Sequence, residues 1–337
     1  LSDGESEGLA DAARLSHCDP AADPAGFRAE ARRGWAALGA DTIDALEMLA
    51  RGGTPRPELY VTNLPVDPNL PPTPLEGQWT DSVASTHGEF LMVTFSLACG
   101  LPISYLDQRG GRLVHDVYPT RANAYEFSSQ SSSASLGFHT EMFFHPEPPD
   151  FLMLHCLRPD ATGRATTSIA SREDIQARLT EAQIAVLSEP RFALDLARLH
   201  GAYRFDGRLI GESDPRPVIP VIDEDVAGVQ FRFEPGLTTA IDDEAHGALT
   251  AAEQAAEDVR AEGRLGKGGL LLLDNRRAVH SRSPFEAKFD GHDRWLRRMM
   301  IGSGPIATTK GFHRRHSLEI ARSWEASGVE LRKVPYG

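Results

Sequence analysis

Two histidines and a glutamate in this sequence have the residue types and the spacing to bind one metal ion. His139 and Glu141 are separated by a single residue, and in an extended strand such a pair projects to the same face. His280 follows the apolar run 270–273 and would add a third ligand from a distant strand. Two histidines and one carboxylate cover one face of an octahedron and leave other positions open, which is typical of non-haem Fe(II) oxygenases.

The His-x-Glu triplet is a weak signal by itself, because the chain has 12 histidines and 48 acidic residues. The alternative is a histidine and a glutamate exposed on a strand. Arg294 favours the metal site, because a planar guanidinium binds a carboxylate bidentately, and an oxygenase that uses 2-oxoglutarate must hold the distal carboxylate of that cosubstrate. Arg294 directly precedes the strand-like run 295–301, and Arg298 lies within it. This position argues against the alternative that both are solvated charges on the surface.

The composition describes an ordinary globular protein of 337 residues, 41% hydrophobic and 25% charged. The net charge of −13 disfavours nucleic acid or an anionic membrane as a partner. The sequence has no apolar stretch of about 18 residues, so it predicts no membrane-spanning helix. The three cysteines, Cys18, Cys99 and Cys156, lack the spacing of a zinc site or a disulfide framework, so we expect a cytoplasmic protein.

Strands dominate the predicted secondary structure after a helical beginning. Residues 1–55 have apolar positions near helical spacing and are expected to pack as helices on a barrel. Further helices are predicted at 81–98, within 171–187 and at 248–261. Strands without regular βαβ alternation predict a mainly β fold with flanking helices, in which a jelly-roll core at 113–301 belongs to a single domain, 1–337. The predicted strands are 58–65, 113–117, 135–140, 151–157, 166–170, 192–196, 218–222, 229–233, 269–274 and 295–301.

Together, residues 139–151, His280 and the run 290–298 resemble the clavaminate-synthase-like Fe(II)/2-oxoglutarate oxygenases. The nearest members are hydroxylases of free amino acids, such as asparagine oxygenase and the arginine and lysine hydroxylases. The resemblance covers about 113–301 and implies a double-stranded β-helix with Fe(II) bound inside by His139, Glu141 and His280. It implies hydroxylation of C3 or C4 of a free L-amino acid or close derivative with 2-oxoglutarate and O2, in specialised metabolism such as antibiotic biosynthesis. Desaturation by the same ligands stays open.

The resemblance also implies roles for residues around the iron. Arg294 would pair with the distal carboxylate of 2-oxoglutarate, with help from the hydroxyl of Thr167. Arg298 would face the carboxylate of the amino acid. The other implied substrate contacts are Gln108, at the amino group, and the loop residues Ser129 and Gln130.

The identity of the substrate depends on the segment 229–235, where arginine hydroxylases of this family carry acidic residues. Arg232 stands where an acid is expected, and a cation there would repel a guanidinium at close range. Glu234 could still pair with an ammonium or a guanidinium. Neutral side chains, such as those of asparagine, glutamine or citrulline, are therefore favoured, but arginine and lysine are not excluded. In the alternative, Arg232 points outward and has no bearing on the substrate.

Two other classes of protein could use the same three ligands. A cupin-like binding protein would hold a small molecule in the barrel without catalysis, and it has no need of Arg294 and Arg298. A zinc hydrolase would keep its activity without O2 and would need a positioned general base. Neither alternative accounts for an arginine that binds the distal carboxylate of a cosubstrate.

Overall fold

The computed structural model describes residues 1–18, 23–75, 87–105, 111–125, 130–199, 204–205, 208–225, 228–303, 313–315, 324–325 and 327–335. Two of the predicted substrate contacts, Gln108 and Ser129, lie outside these ranges.

Helices occur at the beginning of the chain and again between the strands. The first two begin at side-chain caps: Ser2 and Glu5 form a capping box, and Asp23 accepts from the backbone N–H of Gly26. Ser171 and Thr180 cap the two short helices of the predicted helical segment 171–187. The helices are α1 Asp3–Arg14, α2 Pro24–Trp35, α3 Ala40–Ala50, α4 His87–Ser96, α5 Arg172–Gln176, α6 Glu181–Leu187 and α7 Asp243–Val259.

The strands begin at residue 58 and continue almost to the end of the chain. They are β1 Glu58–Val61, β2 Leu101–Tyr105, β3 Val114–Val117, β4 Leu136–His139, β5 Phe151–Arg158, β6 Thr167–Ser171, β7 Phe192–Leu194, β8 Arg204–Phe205, β9 Arg208–Leu209, β10 Arg216–Ile219, β11 Ile222–Asp225, β12 Gly228–Phe231, β13 Thr238–Ala240, β14 Ala261–Gly263, β15 Leu270–Asp274, β16 Ala278–Arg282, β17 Trp295–Gly302, β18 His313–Arg315 and β19 Leu331–Arg332.

Two sheets form the jelly roll. The larger has the order β1-β15-β5-β17-β2-β18, with β3 also paired to β17, and the smaller has the order β14-β6-β16-β4. Neighbouring strands are antiparallel in both sheets, except that β18 runs parallel to β2. The remaining strands pair as the sheet β13-β7-β10-β19 and the hairpins β11-β12 and β8-β9.

Both faces of the larger sheet are covered. In β15, Leu270 and Leu272 pack with the N-terminal helices and α4, whereas Leu271 and Leu273 pack inside the barrel. Because side chains alternate across a strand, two covered faces need apolar residues at every position. This explains the unbroken run of leucines at 270–273.

Helix α7 covers the outer face of the smaller sheet. Its alanines, including Ala245 and Ala252, pack in one cluster with Phe138, Ala170 and Val279 of three strands of that sheet. Small side chains on the helix allow it to lie close to the strands. The jelly roll is thus covered by helices on both sides, and the inner faces of its two sheets are left to form the site.

Several predicted boundaries are wrong for physical reasons. Helix α7 begins at Asp243 instead of 248, because the side chain of Asp242 caps it by accepting from the backbone N–H of Ala245. The predicted strand ranges do not include β16, although His280 was expected on a strand; β16 is short and directly follows a turn. The sequence reading also missed β2, in which Pro102 suggests a loop but lies in a strand. In the described part of the chain, no helix combines the length and apolar character that crossing a membrane requires.

Candidate metal centre and its cavity

His139, Glu141 and His280 converge on one point inside the barrel. One potential ligand atom from each lies within 4.8 Å of the others. His139 ends β4 and lies directly opposite His280 of β16 in the antiparallel register. Their ring centroids are 4.2 Å apart. The pairing of the two strands therefore brings together residues that are far apart in the sequence.

The protonation of the two imidazoles suits metal binding. Burial lowers the pKa of His139 and holds the pKa of His280 well below its usual range, so both rings are neutral near pH 7. Nδ1 of His139 lies 2.9 Å from the carbonyl oxygen of Gly137, which assigns the proton to Nδ1 and leaves Nε2 as the lone-pair donor. Two neutral imidazoles and the buried carboxylate of Glu141 form a donor set that fits Fe(II).

Glu141 is not held by the extended strand that the sequence predicts. Strand β4 ends at His139, and Glu141 begins a turn in which Met142 has a positive φ of 54°. The amide of Asn275 fixes it instead: Oδ1 accepts from the backbone N–H of Glu141 at 2.9 Å, and Nδ2 donates to the carbonyl of Glu141 at 3.0 Å. Nδ2 also donates to the carbonyl of Pro149 at 2.9 Å. Asn275 is fully buried, so these bonds compete little with water.

Arg232 holds the next part of the same turn. Its Nη1 donates to the carbonyls of Phe143, at 3.1 Å, and His145, at 2.7 Å, and Nη2 donates to that of Pro146 at 3.1 Å. Nε donates to Asp223 at 3.0 Å. Arg232 does not line the cavity at the triad. These contacts give its guanidinium a structural role in the turn, and they do not support the predicted contact with substrate.

The triad opens into a cavity between the two sheets of the jelly roll. Apolar side chains from both sheets form part of its wall, and among the described lining residues Glu141 is the only carboxylate. The lining residues are Val117, Leu136, His139, Glu141, Leu154, Thr167, His280, Ser281, Arg282, Arg294, Leu296 and Arg298.

Arg294 and Thr167, predicted to act together, line this same cavity. Arg294 directly precedes β17 and is 8% exposed, and Thr167 begins β6. Burial lowers the pKa of Arg294. Within the described part of the chain the guanidinium forms no ion pair, and its Cζ lies 5.9 Å from the ring centroid of Phe285. A buried cation in this setting favours the binding of an anion.

Arg298 reaches the triad itself. Its Nη1 donates to Oε1 of Glu141 at 2.8 Å, and its Nη2 donates to Nδ1 of His115 at 2.9 Å. A carboxylate has two oxygens, so this contact leaves Oε2 of Glu141 for a metal ion. The sequence reading assigned Arg298 to the substrate alone and gave His115 no role.

A third arginine of the cavity, Arg282, was also missed. Its Nη2 donates to Oγ of Ser131 at 2.7 Å and to the carbonyl of Ala134 at 2.6 Å. Burial, and after it the charge of Arg294, lowers the pKa of Arg282 to about 10. Arg282 is two residues after His280 in β16, so the alternation of side chains along a strand was the signal that could have found it.

The last two predicted contacts, Glu234 and Gln130, are not among the residues that line the cavity. Glu234 is buried behind His139, with Oε2 3.9 Å from Nδ1 of that ring, and burial raises its pKa well above the usual value. Oε1 of Gln130 accepts from Nδ2 of Asn123 at 3.2 Å, and its carbonyl accepts from the N–H of Thr120 at 3.1 Å. Neither residue lines the described cavity, so their contacts with substrate stay predictions.

The sequence profile of the taurine catabolism dioxygenase TauD, TfdA family matches residues 95–300. The chain belongs to the TauD/TfdA dioxygenase family. L-asparagine oxygenase from Streptomyces coelicolor is 32% identical to it over 83% of this chain and 81% of that protein. Clavaminate synthase 2 from Streptomyces clavuligerus is 32% identical over 84% of this chain and 85% of its own length. A crystal structure of asparagine oxygenase with Fe(II), 2S,3S-3-hydroxyasparagine and succinate has a TM-score of 0.81 at 26% identity, covering 94% of this chain and 98% of that one.

Membership of the TauD/TfdA family confirms the resemblance found in the sequence, and the shared structure confirms the predicted jelly roll. The protein is an Fe(II)- and 2-oxoglutarate-dependent oxygenase. The alternatives of a non-catalytic binding protein and a zinc hydrolase are set aside.

Replacing His280 with alanine should remove one of the three ligands of this TauD/TfdA protein and leave its fold intact. We expect Fe(II) affinity to fall more than about 100-fold, because loss of even a partner of a ligand typically costs about 10- to 100-fold. Anaerobic Fe(II) titration measures the affinity, and circular dichroism measures the fold. His155→Ala is the control, since His155 is equally buried but lies outside the triad. Wild-type affinity in His280→Ala would remove His280 from the metal site.

Asn275→Asp should weaken the turn that carries Glu141. The variant keeps the shape and one acceptor but cannot donate to the carbonyls of Glu141 and Pro149, which lose their buried partner. We expect the free energy of unfolding to fall by about 1–3 kcal/mol, together with weaker Fe(II) binding. Denaturant unfolding and Fe(II) titration measure the two effects. Asn69→Asp makes the same charge change at an exposed position and should be neutral in both. Equal stability of Asn275→Asp and Asn69→Asp would contradict the role of Asn275 in holding the turn that carries Glu141.

Proposed function

We propose that the protein hydroxylates an unactivated carbon, C3 or C4, of a free L-amino acid or close derivative. The observation that carries this proposal is the arrangement of charge in one cavity. The three candidate metal ligands line one cavity together with Arg294, which forms no ion pair in the described chain, and Arg298, which contacts Glu141. Two separate guanidinium groups in one cavity suit two carboxylate-bearing molecules, a cosubstrate and a substrate.

In this proposal, three protein ligands would hold Fe(II): Nε2 of His139, a carboxylate oxygen of Glu141 and a ring nitrogen of His280. Fe(II), when bound together with 2-oxoglutarate, supplies the activation of O2 that oxidation of a C–H bond requires. The neutral state of both histidines keeps their lone pairs available, and Asn275 holds the main chain of Glu141 in place. The protein thus provides a fixed set of ligands before any small molecule enters.

Arg294 and Thr167 would hold the distal carboxylate of 2-oxoglutarate. The guanidinium can donate two parallel hydrogen bonds to a carboxylate, and a hydroxyl can add another. Arg294 is buried without an ion pair in the described chain, so its positive charge has lost hydration without gaining a partner. Binding of the dianion would compensate this charge, which supports an anionic cosubstrate at Arg294.

Arg298 would hold the carboxylate of the amino acid. A guanidinium has more N–H donors than the contacts to Glu141 and His115 use, so it can bind a further acceptor. Leu154 and Leu296 line the cavity and belong, like Arg298, to the larger sheet. Their apolar side chains help to exclude water from the reacting carbon. Binding through the carboxylate would fix the distance from the iron to the carbons of the side chain.

The cavity favours a neutral side chain in the substrate. Its described lining contains three arginines and one carboxylate, Glu141, which is committed to the metal. A lysine or arginine side chain would find no acidic partner in this lining, and Arg282 and Arg294 would repel it. Asparagine, glutamine and citrulline fit better, and the related L-asparagine oxygenase of Streptomyces coelicolor is named for a substrate of this kind.

The decisive experiment measures succinate and product together. Anaerobically purified protein receives Fe(II), ascorbate and 2-oxoglutarate with each of the common amino acids, citrulline or ornithine, and O2 starts the reaction. We expect one neutral amino acid to stimulate succinate release and to gain one oxygen atom by mass spectrometry. Stimulation by none of them would contradict a free amino acid substrate, and loss of two hydrogens would indicate desaturation.

Arg294→Ala should chiefly impair the use of 2-oxoglutarate. Loss of a charge-assisted contact is expected to raise the KM for 2-oxoglutarate about 10- to 100-fold, with little change in the KM for the amino acid. Arg158→Ala is the matched control, because Arg158 is a partly buried arginine of β5 that binds Thr73 and the carbonyl of Pro71, outside the cavity. An unchanged KM for 2-oxoglutarate would move this role to another arginine, with Arg298 as the next candidate.

A further inference from the structure

A hydrogen-bonded chain leads from β3 to the carboxylate of Glu141. His115 of β3 and Arg298 of β17 are directly opposite each other in the antiparallel register. Nη2 of Arg298 lies 2.9 Å from Nδ1 of His115, and Nη1 lies 2.8 Å from Oε1 of Glu141. At the other side of the ring, Nε2 of His115 lies 3.0 Å from the carbonyl oxygen of Arg112.

The chemistry of the partners fixes the direction of each hydrogen bond. A guanidinium can only donate, so Nδ1 of His115 accepts from Arg298. The carbonyl of Arg112 can only accept, so Nε2 of His115 carries the proton and donates to it. His115 is therefore neutral in one tautomer and is held on both sides of its ring. It is 1% exposed, which shields both bonds from water.

This arrangement determines where the guanidinium of Arg298 lies. An arginine side chain has several rotatable bonds, and holding it in one position costs conformational entropy. With Nη2 bound to a buried ring, the plane of the guanidinium is fixed before Nη1 meets Glu141. The donors that remain are then presented to the cavity in a constant orientation, which is what recognition of a planar carboxylate needs.

We propose that His115 is a positioning residue, which holds Arg298 so that it serves the metal-ligand carboxylate of Glu141 and the substrate carboxylate at the same time. The part that concerns substrate rests on the proposed function. The part that concerns Glu141 does not, because it depends only on the chain of contacts among His115, Arg298 and Glu141. Neither contact with the iron nor contact with the reacting carbon is assigned to His115.

Three variants test this proposal. His115→Leu removes the acceptor for Arg298, whereas His115→Asn places an amide oxygen near the position of Nδ1 and keeps an acceptor. His155→Leu is the matched control. His155 is a fully buried histidine of β5, which pairs with β17, and it does not line the cavity of the triad. Thermal unfolding of all three separates effects on the site from loss of stability.

The readouts are Fe(II) affinity by anaerobic titration without substrate, and steady-state kinetics with the amino acid found in the succinate assay. For His115→Leu we expect Fe(II) affinity to fall about three- to tenfold, at or below the usual loss for partners of metal ligands. We expect kcat/KM for the amino acid to fall about tenfold or more, with the KM for 2-oxoglutarate almost unchanged. The ratio of hydroxylated product to succinate should also fall, because a misplaced substrate uncouples the two. His115→Asn should recover most of each loss.

Three results would overturn the proposal. The first is wild-type Fe(II) affinity and substrate KM in His115→Leu, and the second is equal losses in His115→Leu and His155→Leu. The third is failure of His115→Asn to improve on His115→Leu. If the wild-type protein hydroxylates no amino acid, the proposed function fails, and the Fe(II) titration still decides whether His115 acts on Glu141 through Arg298. If His115→Leu does not fold, His115→Phe takes its place in every comparison, because it keeps a ring of similar size and also removes the acceptor for Arg298.

Discussion

The antiparallel register between β4 and β16 is the constraint on which the site depends. It places His139 opposite His280, so that two ligands from distant parts of the sequence meet without any local motif. Since a shift by one residue turns a side chain to the other face of a sheet, this register cannot slip without losing the metal site. The packing of Phe138 and Val279 under α7 fixes the same register from the opposite face.

The third ligand obeys a different rule, because Glu141 lies after the strand has ended. Its position relies on side chains from elsewhere: the amide of Asn275 on its main chain and Arg232 on the carbonyls that follow. Arg298 then acts on the carboxylate itself. The two histidines are placed by sheet geometry, whereas the glutamate is placed by buried polar contacts, each of which can be altered without touching a ligand.

The sequence predicted most where residue type and spacing determine the outcome. The triad converges, Arg294 and Thr167 share the cavity, and the leucine run of β15 is a strand covered on both faces. Prediction failed where contacts distant in sequence decide. Arg232 looked like a residue of the substrate pocket, but its carbonyl partners come from the turn 143–146. His115 carried no local signal, since its importance follows from lying opposite Arg298.

The balance of charge in the cavity also bears on the form of the substrate. Three arginines face one glutamate in the described lining, and burial keeps both histidines neutral. Fe(II) and the dianion of 2-oxoglutarate bring charges of equal size and opposite sign, so their binding leaves the excess of positive charge in place. A free amino acid with a neutral side chain is a zwitterion and adds no net charge, whereas one joined through its carboxyl group to a carrier adds the positive charge of its ammonium group. Electrostatics therefore favours a free amino acid, with its carboxylate at Arg298, over a carrier-bound one.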